Sequence, residues 1–486
     1  MPFFCLYSTN ILHAIMTNRF TSQINIQNND IPMTQTTNGM PTQVSSMDTH
    51  VDLFFTIGAS RGKDISAKFI QAFNENQTIA LKLLAWARDI RQGAGEREIV
   101  RQCLKALEKH NPESLIKFLP HLPEFGRYDD LFIFETTQVK YAAFKIIQDA
   151  LKSGNQLAGK WTPRKGKIAS ELRQFLQLSP KQYRKLLVNT TNVVETKMCA
   201  NEWTSINYGY VPSIAAKNYQ KAFNKHDAKG YGAYKESLST GEAKINANAI
   251  FPHDVLRGSD RVVIEAQWKA LPNYLEGAFT QHRLILPVCD VSGSMSCSAG
   301  KNTSLTCMEV CVALGLYIAD KNEGAFKDVV CTFSAKPNLV KLQSKSILDK
   351  KAEIERLDWG MNTNLELTFE KILETGIKGK VPQSDMPTDV IIFSDMQFDI
   401  ATTDPSDTAM KMIERMYEQA GYKVPKVIFW NLNASVGVPV SFSKSGVALV
   451  SGFSPSIMKS ILGASDFSPV GIMMQTLDSE RYVMIG

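Results

Sequence analysis

Leu284-Ile-Leu-Pro-Val-Cys-Asp290-Val-Ser292-Gly-Ser294-Met295 is a short apolar run that ends abruptly in a carboxylate and two hydroxyls spaced Asp-x-Ser-x-Ser. A continuous apolar run of this length is what a parallel strand covered on both faces requires. The C-terminal edge of such a strand is where an open α/β sheet keeps its ligand crevice, so the three polar residues fall where a site belongs. All three offer hard oxygen donors. These suit Mg²⁺, which prefers an octahedral oxygen shell and retains several waters. A surface metal site is the first expectation.

Downstream of this stretch, strand and helix patterns alternate. Residues 306–317 read as helix, 328–334 as strand, 346–357 and 365–373 as helices, 389–394, 426–431 and 447–451 as apolar strands, and 455–462 as a closing helix. That alternation predicts a doubly wound parallel sheet with helices on both faces. Two more oxygen groups fall at useful places. Gly360-Met-Asn-Thr363-Asn364 presents a threonine just before a helix, and Ser394-Asp395 ends a strand with a carboxylate, as Asp290 does.

Upstream, the signal from about residue 48 to 275 is helical. Residues 80–90, 99–109 and 141–151 each place apolar side chains on one broad face and are separated by Pro/Gly breaks. An all-α domain of packed helix pairs, a helical-repeat scaffold, is expected over 48–275, followed by the α/β domain over 276–486. Residues 21–46 are rich in Asn, Gln, Thr and Ser and poor in aromatics, so 1–47 is expected to be a disordered tail. Residues 225–241 read as an exposed connection.

Net charge is only +6, but it is unevenly distributed. Residues 151–230 hold fourteen lysines and arginines against four acids. A polyanion-binding surface has this character, as does a solvated helical face. Lys160, Trp161, Arg164, Lys165, Lys167, Arg184 and Lys185 interleave cations with aromatic side chains, which single-stranded nucleic acid uses for phosphates and unstacked bases. Trp161 and Trp203 equally fit a core role. The turn Asp89-Ile-Arg91-Gln-Gly93-Ala-Gly95-Glu-Arg97-Glu98 fits a helix end followed by an acid-favouring helix start. Arg91 and Arg97 are also placed to touch a nucleic-acid backbone.

The eight cysteines show no metal-ligand spacing and lie mostly in apolar runs, as buried thiols of a reducing compartment do; a cytoplasmic location is the expectation. No apolar run approaches the roughly 20 residues that span a bilayer.

Asp290, Ser292, Ser294, Thr363 and Asp395 together resemble the metal-ion-dependent adhesion site of von Willebrand factor A domains. The resemblance implies that the hydroxyls bind the metal directly, that some carboxylates act through water, and that an acidic group from a protein partner completes the shell. A helical domain ahead of an A domain resembles the TROVE proteins, the Ro autoantigen group. Arg88-Asp-Ile-Arg-Gln-Gly-Ala-Gly-Glu-Arg97, Phe125-Gly-Arg-Tyr-Asp-Asp130 and Ser451-Gly-Phe-Ser-Pro455 look closer to a TROVE-like branch. That likeness implies a ribonucleoprotein component that binds small structured or single-stranded RNA. No nucleophile elbow, P-loop or His-Glu-x-x-His occurs, so catalysis is not expected. The alternative is a metal-dependent protein-interaction module on a helical scaffold with no RNA role.

Overall fold

The computed structural model describes residues 18–301, 303–333, 336–357, 362–435 and 437–485. Its centre is a six-stranded sheet. The strands are β3 (Ile285–Asp290), β4 (Val329–Phe333), β5 (Asn338–Lys341), β6 (Asp389–Ser394), β7 (Lys426–Asn431) and β8 (Val447–Ser451), numbered after a small hairpin of β1 (Met33–Gln35) and β2 (Pro41–Gln43). Their order is β5-β4-β3-β6-β7-β8. Every pairing is parallel except β4 with β5. Only four residues separate Phe333 from Asn338, too few for the crossover a parallel partner needs, so the edge strand turns back antiparallel.

Every residue of β3, β6 and β8 is buried, as strands with helices on both faces must be. Helix Cys307–Lys321 packs on β3, β4 and β6, and helix Leu365–Lys378 packs on β4 beside helix Ala409–Ala420. The chain leaves β3 for β4 on one side and later returns to β6 on the other. The switch point therefore lies at the C-terminal ends of β3 and β6, where Asp290 and Asp395 are found.

The fold class is the expected one, a helical region followed by a doubly wound sheet. The predicted strands 389–394, 426–431 and 447–451 coincide with β6, β7 and β8. The short polar β5, helix Ala409–Ala420 and helix Pro469–Leu477 had no counterpart among the predicted elements. Gly360, Met361 and Ser334 of the predicted elements lie outside the described residues.

Two expectations need correction. Residues 228–240, read as an exposed connection, form a helix capped by the Asp227 side chain, with Tyr231 and Leu238 buried. Gly230 and Gly232 masked its pattern. The expected tail also proves structured over its described part: residues 19–27 are helical and β1 pairs with β2. A composition argument counts only the surface a segment buries within itself. This hairpin instead pairs with residues some 360–400 positions away. Thr36 donates to the Phe398 carbonyl at 2.7 Å, Thr42 to the Val438 carbonyl at 2.9 Å, and Gln43 and Val438 exchange backbone hydrogen bonds.

The helical region is seated on the sheet by helix Thr49–Ile57, started by Asp48 accepting from the His50 and Val51 amides. Eight of its nine residues are buried, and it packs along β8. Its last carbonyls, which a helix end leaves without partners, are taken up by the sheet. Ser451 Oγ donates to the Phe54 carbonyl at 2.7 Å, and Asn431 Nδ2 to the Phe55 carbonyl at 3.0 Å. The apolar cores of helices and sheet merge into one cluster, while residues 206–263 build a second, smaller core around Tyr208, Phe223 and Tyr231.

At this joint Gly58 lies against Gly452 backbone to backbone. A Cβ on Gly58 would meet the Gly452 N and Cα at 2.8 Å. Neither side can rotate away, so Gly58→Ala should destabilise by about 3 kcal/mol, the upper end of overpacking costs. Gly232→Ala meets nothing within 4 Å in the middle of a helix and should stabilise by up to about 1 kcal/mol. Urea midpoints of the two variants check the contrast.

Candidate functional site

The sheet edge gathers the five predicted metal residues. Asp290, Ser292, Thr363 and Asp395 are buried, and Ser294 is exposed. The turn after β3 is fixed by Asp290 itself, whose Oδ1 accepts the Ser292 amide at 3.0 Å. Ser292 Oγ and Ser294 Oγ lie 3.1 Å apart. Ser394, at the end of β6, donates to Asp290 Oδ2 at 2.6 Å, and Ser294 lies near enough to Asp395 to favour its charged form. The loop after β6 folds back similarly, Asp395 Oδ1 accepting the Gln397 amide at 3.2 Å.

Thr363 joins this group through two further residues. Its amide donates to Asp399 Oδ2 at 2.9 Å, and its hydroxyl accepts from Asn38 Nδ2 at 3.2 Å. The same Asn38 amide donates to the Gln397 carbonyl at 2.7 Å. The tip of the β1–β2 hairpin therefore lies directly on the loops that carry Thr363 and follow β6. Asn38, Asp399 and Ser394 were not selected from sequence. The Asn38-Gly39 pair, with Gly39 at φ 94°, is a turn signal that identifies the hairpin.

Burial and the neighbouring Asp395 push the Asp290 carboxyl up to about 7. Burial raises Asp395 as well, opposed in part by Lys63. Among the described residues no cluster of three or more His, Cys, Asp or Glu side chains is placed to hold a metal. The donor set here is of another kind, two carboxylates with three hydroxyls. Two buried, mutually repelling carboxylates leave an excess of negative charge that a small divalent cation fits.

The predicted RNA-binding residues fall in three places. Arg97, Lys160 and Trp161 line a cavity of about 930 Å³ between the helical region and the sheet domain. Its wall also includes Arg61, Arg88, Arg127 and Tyr219, together with Ala299, Gly300, Lys301 and Thr303 from the loop after β3. Its cations are largely paired. Arg61 holds Glu96 at 2.8 Å, Arg97 holds Glu98 at 2.8 Å, and Lys160 holds Glu195 at 2.7 Å. Arg127 stacks 4.0 Å over the Trp161 ring while binding Asp129.

Arg164, Lys165, Lys167, Arg184 and Lys185 are exposed and do not line this cavity. Tyr183 donates to the Pro163 carbonyl at 2.7 Å and Arg164 to Thr191 Oγ1 at 3.2 Å, tying helix Pro180–Thr190 to the loop after helix Gln156–Trp161. Arg164, Lys165, Arg184 and Lys185 consequently share one neighbourhood beside Lys160. Lys167 approaches Glu171 at 3.9 Å. Arg91 lies elsewhere, bonded to the Glu124 carbonyl at 3.1 Å near the Asp89–Arg481 ion pair. Of the aromatics in the basic window, Tyr208 is core and Trp203 stacks on His226 at 4.3 Å.

Residues 36–132 and 135–278 match a family model described as a domain of unknown function (DUF2828), and residues 285–481 match another so described (DUF7788). Neither description names a TROVE or A domain. Uncharacterized protein L728 of Acanthamoeba polyphaga mimivirus is 27% identical over 511 residues, covering 92% of this chain and 87% of that protein. The solved Ro (RSR) protein of Deinococcus radiodurans aligns over 89% of this chain and 99% of its own at 14% identity and a TM-score of 0.36, too distant to carry a functional inference.

His253, next to the cavity acid Asp254, is fully enclosed, and burial pushes its imidazole down to about 3, with Arg61, Lys217 and Arg257 acting in the same direction and Asp254 against. A histidine depressed in the folded state binds fewer protons there than when unfolded. Its contribution to stability is therefore complete above about pH 6.5 and declines as pH falls toward 3, by up to about 1.4 kcal/mol per pH unit. Urea midpoints at pH 7.5 and 5.0 should show His253→Phe with a smaller acid loss than wild type.

Proposed function

We propose that this chain is a non-catalytic RNA-binding protein that carries a separate Mg²⁺-dependent docking site for an acidic protein partner. The observation that carries the first half is the face around helix Pro180–Thr190. Arg164, Lys165, Lys181, Arg184 and Lys185 are exposed there, and no carboxylate pairs with them among the described residues. Unneutralised cations of this density attract phosphates, and release of the polymer's counterions drives binding. The adjoining cavity adds Lys160, Arg97 and the half-buried Trp161 ring. A phosphate strand entering it competes with Glu195 and Glu98 for their cations, so the cavity favours a strand already held by the outer face.

For the second half, Ser292, Ser294 and Thr363 would offer hydroxyl oxygens to the ion, with Asp290 and Asp395 nearby as countercharge. Bound Mg²⁺ supplies a coordination position for an incoming carboxylate. Asn38 already touches the Thr363 hydroxyl, so an incoming ligand meets the hairpin tip. The cytoplasm fits this reading, and no helix among the described residues is long and apolar enough to cross a membrane.

Protein purified at low salt should carry RNA, identified by sequencing. Combined Lys165→Ala, Arg184→Ala and Lys185→Ala substitutions should lower the slope of log affinity against log salt by about 2, at roughly 0.7 per lost single-strand contact. RNA-free protein holding a protein partner that departs on Asp290→Ala would favour a purely metal-dependent interaction module. Separately, Mg²⁺ at a hundredfold excess over its Kd should stabilise wild type by about 2.7 kcal/mol in thermal unfolding. Thr363→Val should remove most of that gain, and no stabilisation of wild type at any Mg²⁺ concentration would exclude the site.

A further inference from the structure

The loop that leaves the Asp-x-Ser-x-Ser stretch returns to helix Cys307–Lys321 through a short antiparallel contact. Ser298 bridges Thr306, the Cys307 amide donates to the Cys297 carbonyl at 3.0 Å, and the Ala299 amide to the Leu305 carbonyl at 2.7 Å. Cys297 and Cys307 are thus direct cross-strand neighbours. Such neighbours have Cα separations of about 4.5–5.5 Å, inside the span a disulfide bridges. Their sulfurs are 3.5 Å apart.

We propose that Cys297 and Cys307 form a peroxide-sensitive dithiol, with Cys297 the attacking and Cys307 the resolving cysteine.

The two thiols differ in the way such a pair requires. Cys297 is half-buried, whereas Cys307 is only 1% exposed. The Cys297 and Cys307 sulfurs share a hydrogen bond at 3.5 Å, Cys297 Sγ accepts from Asn433 Nδ2 at 3.5 Å, and Asn433 Oδ1 accepts from Lys63 Nζ at 3.1 Å. This chain of donors ends on the Cys297 sulfur and stabilises negative charge there. The buried thiols Cys103, Cys331 and the adjacent pair Cys289 and Cys311 are instead fully closed to solvent, out of reach of peroxide, and burial raises Cys103 to about 12 and pushes Cys331 and Cys311 upward.

In the first step the Cys297 thiolate attacks one oxygen of hydrogen peroxide. The O–O bond breaks, one water leaves after proton uptake, and Cys297 becomes a sulfenic acid. The Cys307 sulfur then displaces the sulfenic hydroxyl. The S–S bond forms, the thiol proton leaves with the hydroxyl as a second water, and two electrons in all have passed from the two thiols to one peroxide. The product fastens the loop carrying Ser294 to the first residue of helix Cys307–Lys321. Ala299, Gly300, Lys301 and Thr303 of that same loop line the cavity, so the oxidation reaches both candidate sites.

The test uses the full chain, reduced, desalted and treated with hydrogen peroxide, then mapped by non-reducing peptide mass spectrometry. A linked Cys297–Cys307 peptide that disappears with dithiothreitol is expected. Cys307→Ser should accumulate a dimedone-reactive sulfenic acid at Cys297. In the untreated protein at pH 7, Cys297 should alkylate faster than the exposed Cys199, because the donor chain from Lys63 through Asn433 favours its thiolate. Wild type that stays unlinked while Cys199 oxidises, or a Cys297 no more reactive than Cys199, would overturn the proposal. The wild-type mapping decides it even where the buried Cys307→Ser substitution impairs folding.

Discussion

The backbone contact between Gly58 and Gly452 is the constraint on which the two candidate sites depend. Gly452 holds φ at 109°, open to glycine and strained for other residues, and its carbonyl accepts the buried Trp430 indole at 2.7 Å. Helix Thr49–Ile57 can close on the sheet only because both partners lack a Cβ. The residues just beyond that helix are placed by the same contact. Arg61 comes three residues after Gly58, stacks 4.0 Å over Phe453, grips Glu96 and reaches the cavity wall. Lys63 comes five residues after it and lies by the loop after β7, where it bonds Asn433 and the Ala434 carbonyl. One close approach therefore puts a cation into each site.

The ionic groups fall into those answered within the fold and those left over. Arg88 and Arg101 divide the two oxygens of buried Asp130, while Arg101 and Arg127 share Asp129. A Cβ on Gly126 would press within 2.6 Å of this network, on Asp130 and Arg88. The motif Phe125-Gly-Arg-Tyr-Asp-Asp130 is accordingly a brace, since removing one member of such a buried pair leaves an uncompensated charge. Asp89 and Arg481 tie the chain's C-terminal segment to the same turn. Two concentrations of like charge without an opposite partner stand out among the described residues, the outward lysines and arginines around helix Pro180–Thr190 and the two inward carboxylates at the sheet edge. The proposed ligands are of opposite sign to each.

How much of this the sequence discloses depends on whether a residue's partner is local. The strands were legible because an apolar run buried on both faces needs only its own composition, and Asp290 and Asp395 followed because strand ends in such sheets carry sites. Thr363 was picked out by its place in a loop just before a helix, and the resemblance then grouped it with the others. The hairpin was not, although Asn38-Gly39 marks its turn, because its hydrogen bonds go to Phe398 and Val438 and its composition alone reads as unstructured. In the basic window, charge density identified the region, but pairing decides which cations are free. Lys160 and Glu195 meet across 35 positions, and nothing in their spacing shows it.

The loop between β3 and helix Cys307–Lys321 connects the sites. It has the Ser294 hydroxyl at one end and the cavity-lining residues Ala299, Gly300, Lys301 and Thr303 at the other, with Cys297 between them. Its return is fixed by the reciprocal cap of that helix, Thr306 and Glu309 each accepting the other's amide. Glu309 is also held by Arg257 of the helical region at 3.0 Å. A loop anchored at both ends can shift only in its middle, so a change at Ser294 is passed along fewer than ten residues to the cavity wall. Coupling between two ligands requires that each favour one arrangement of a shared element. This loop is an element that both sites touch.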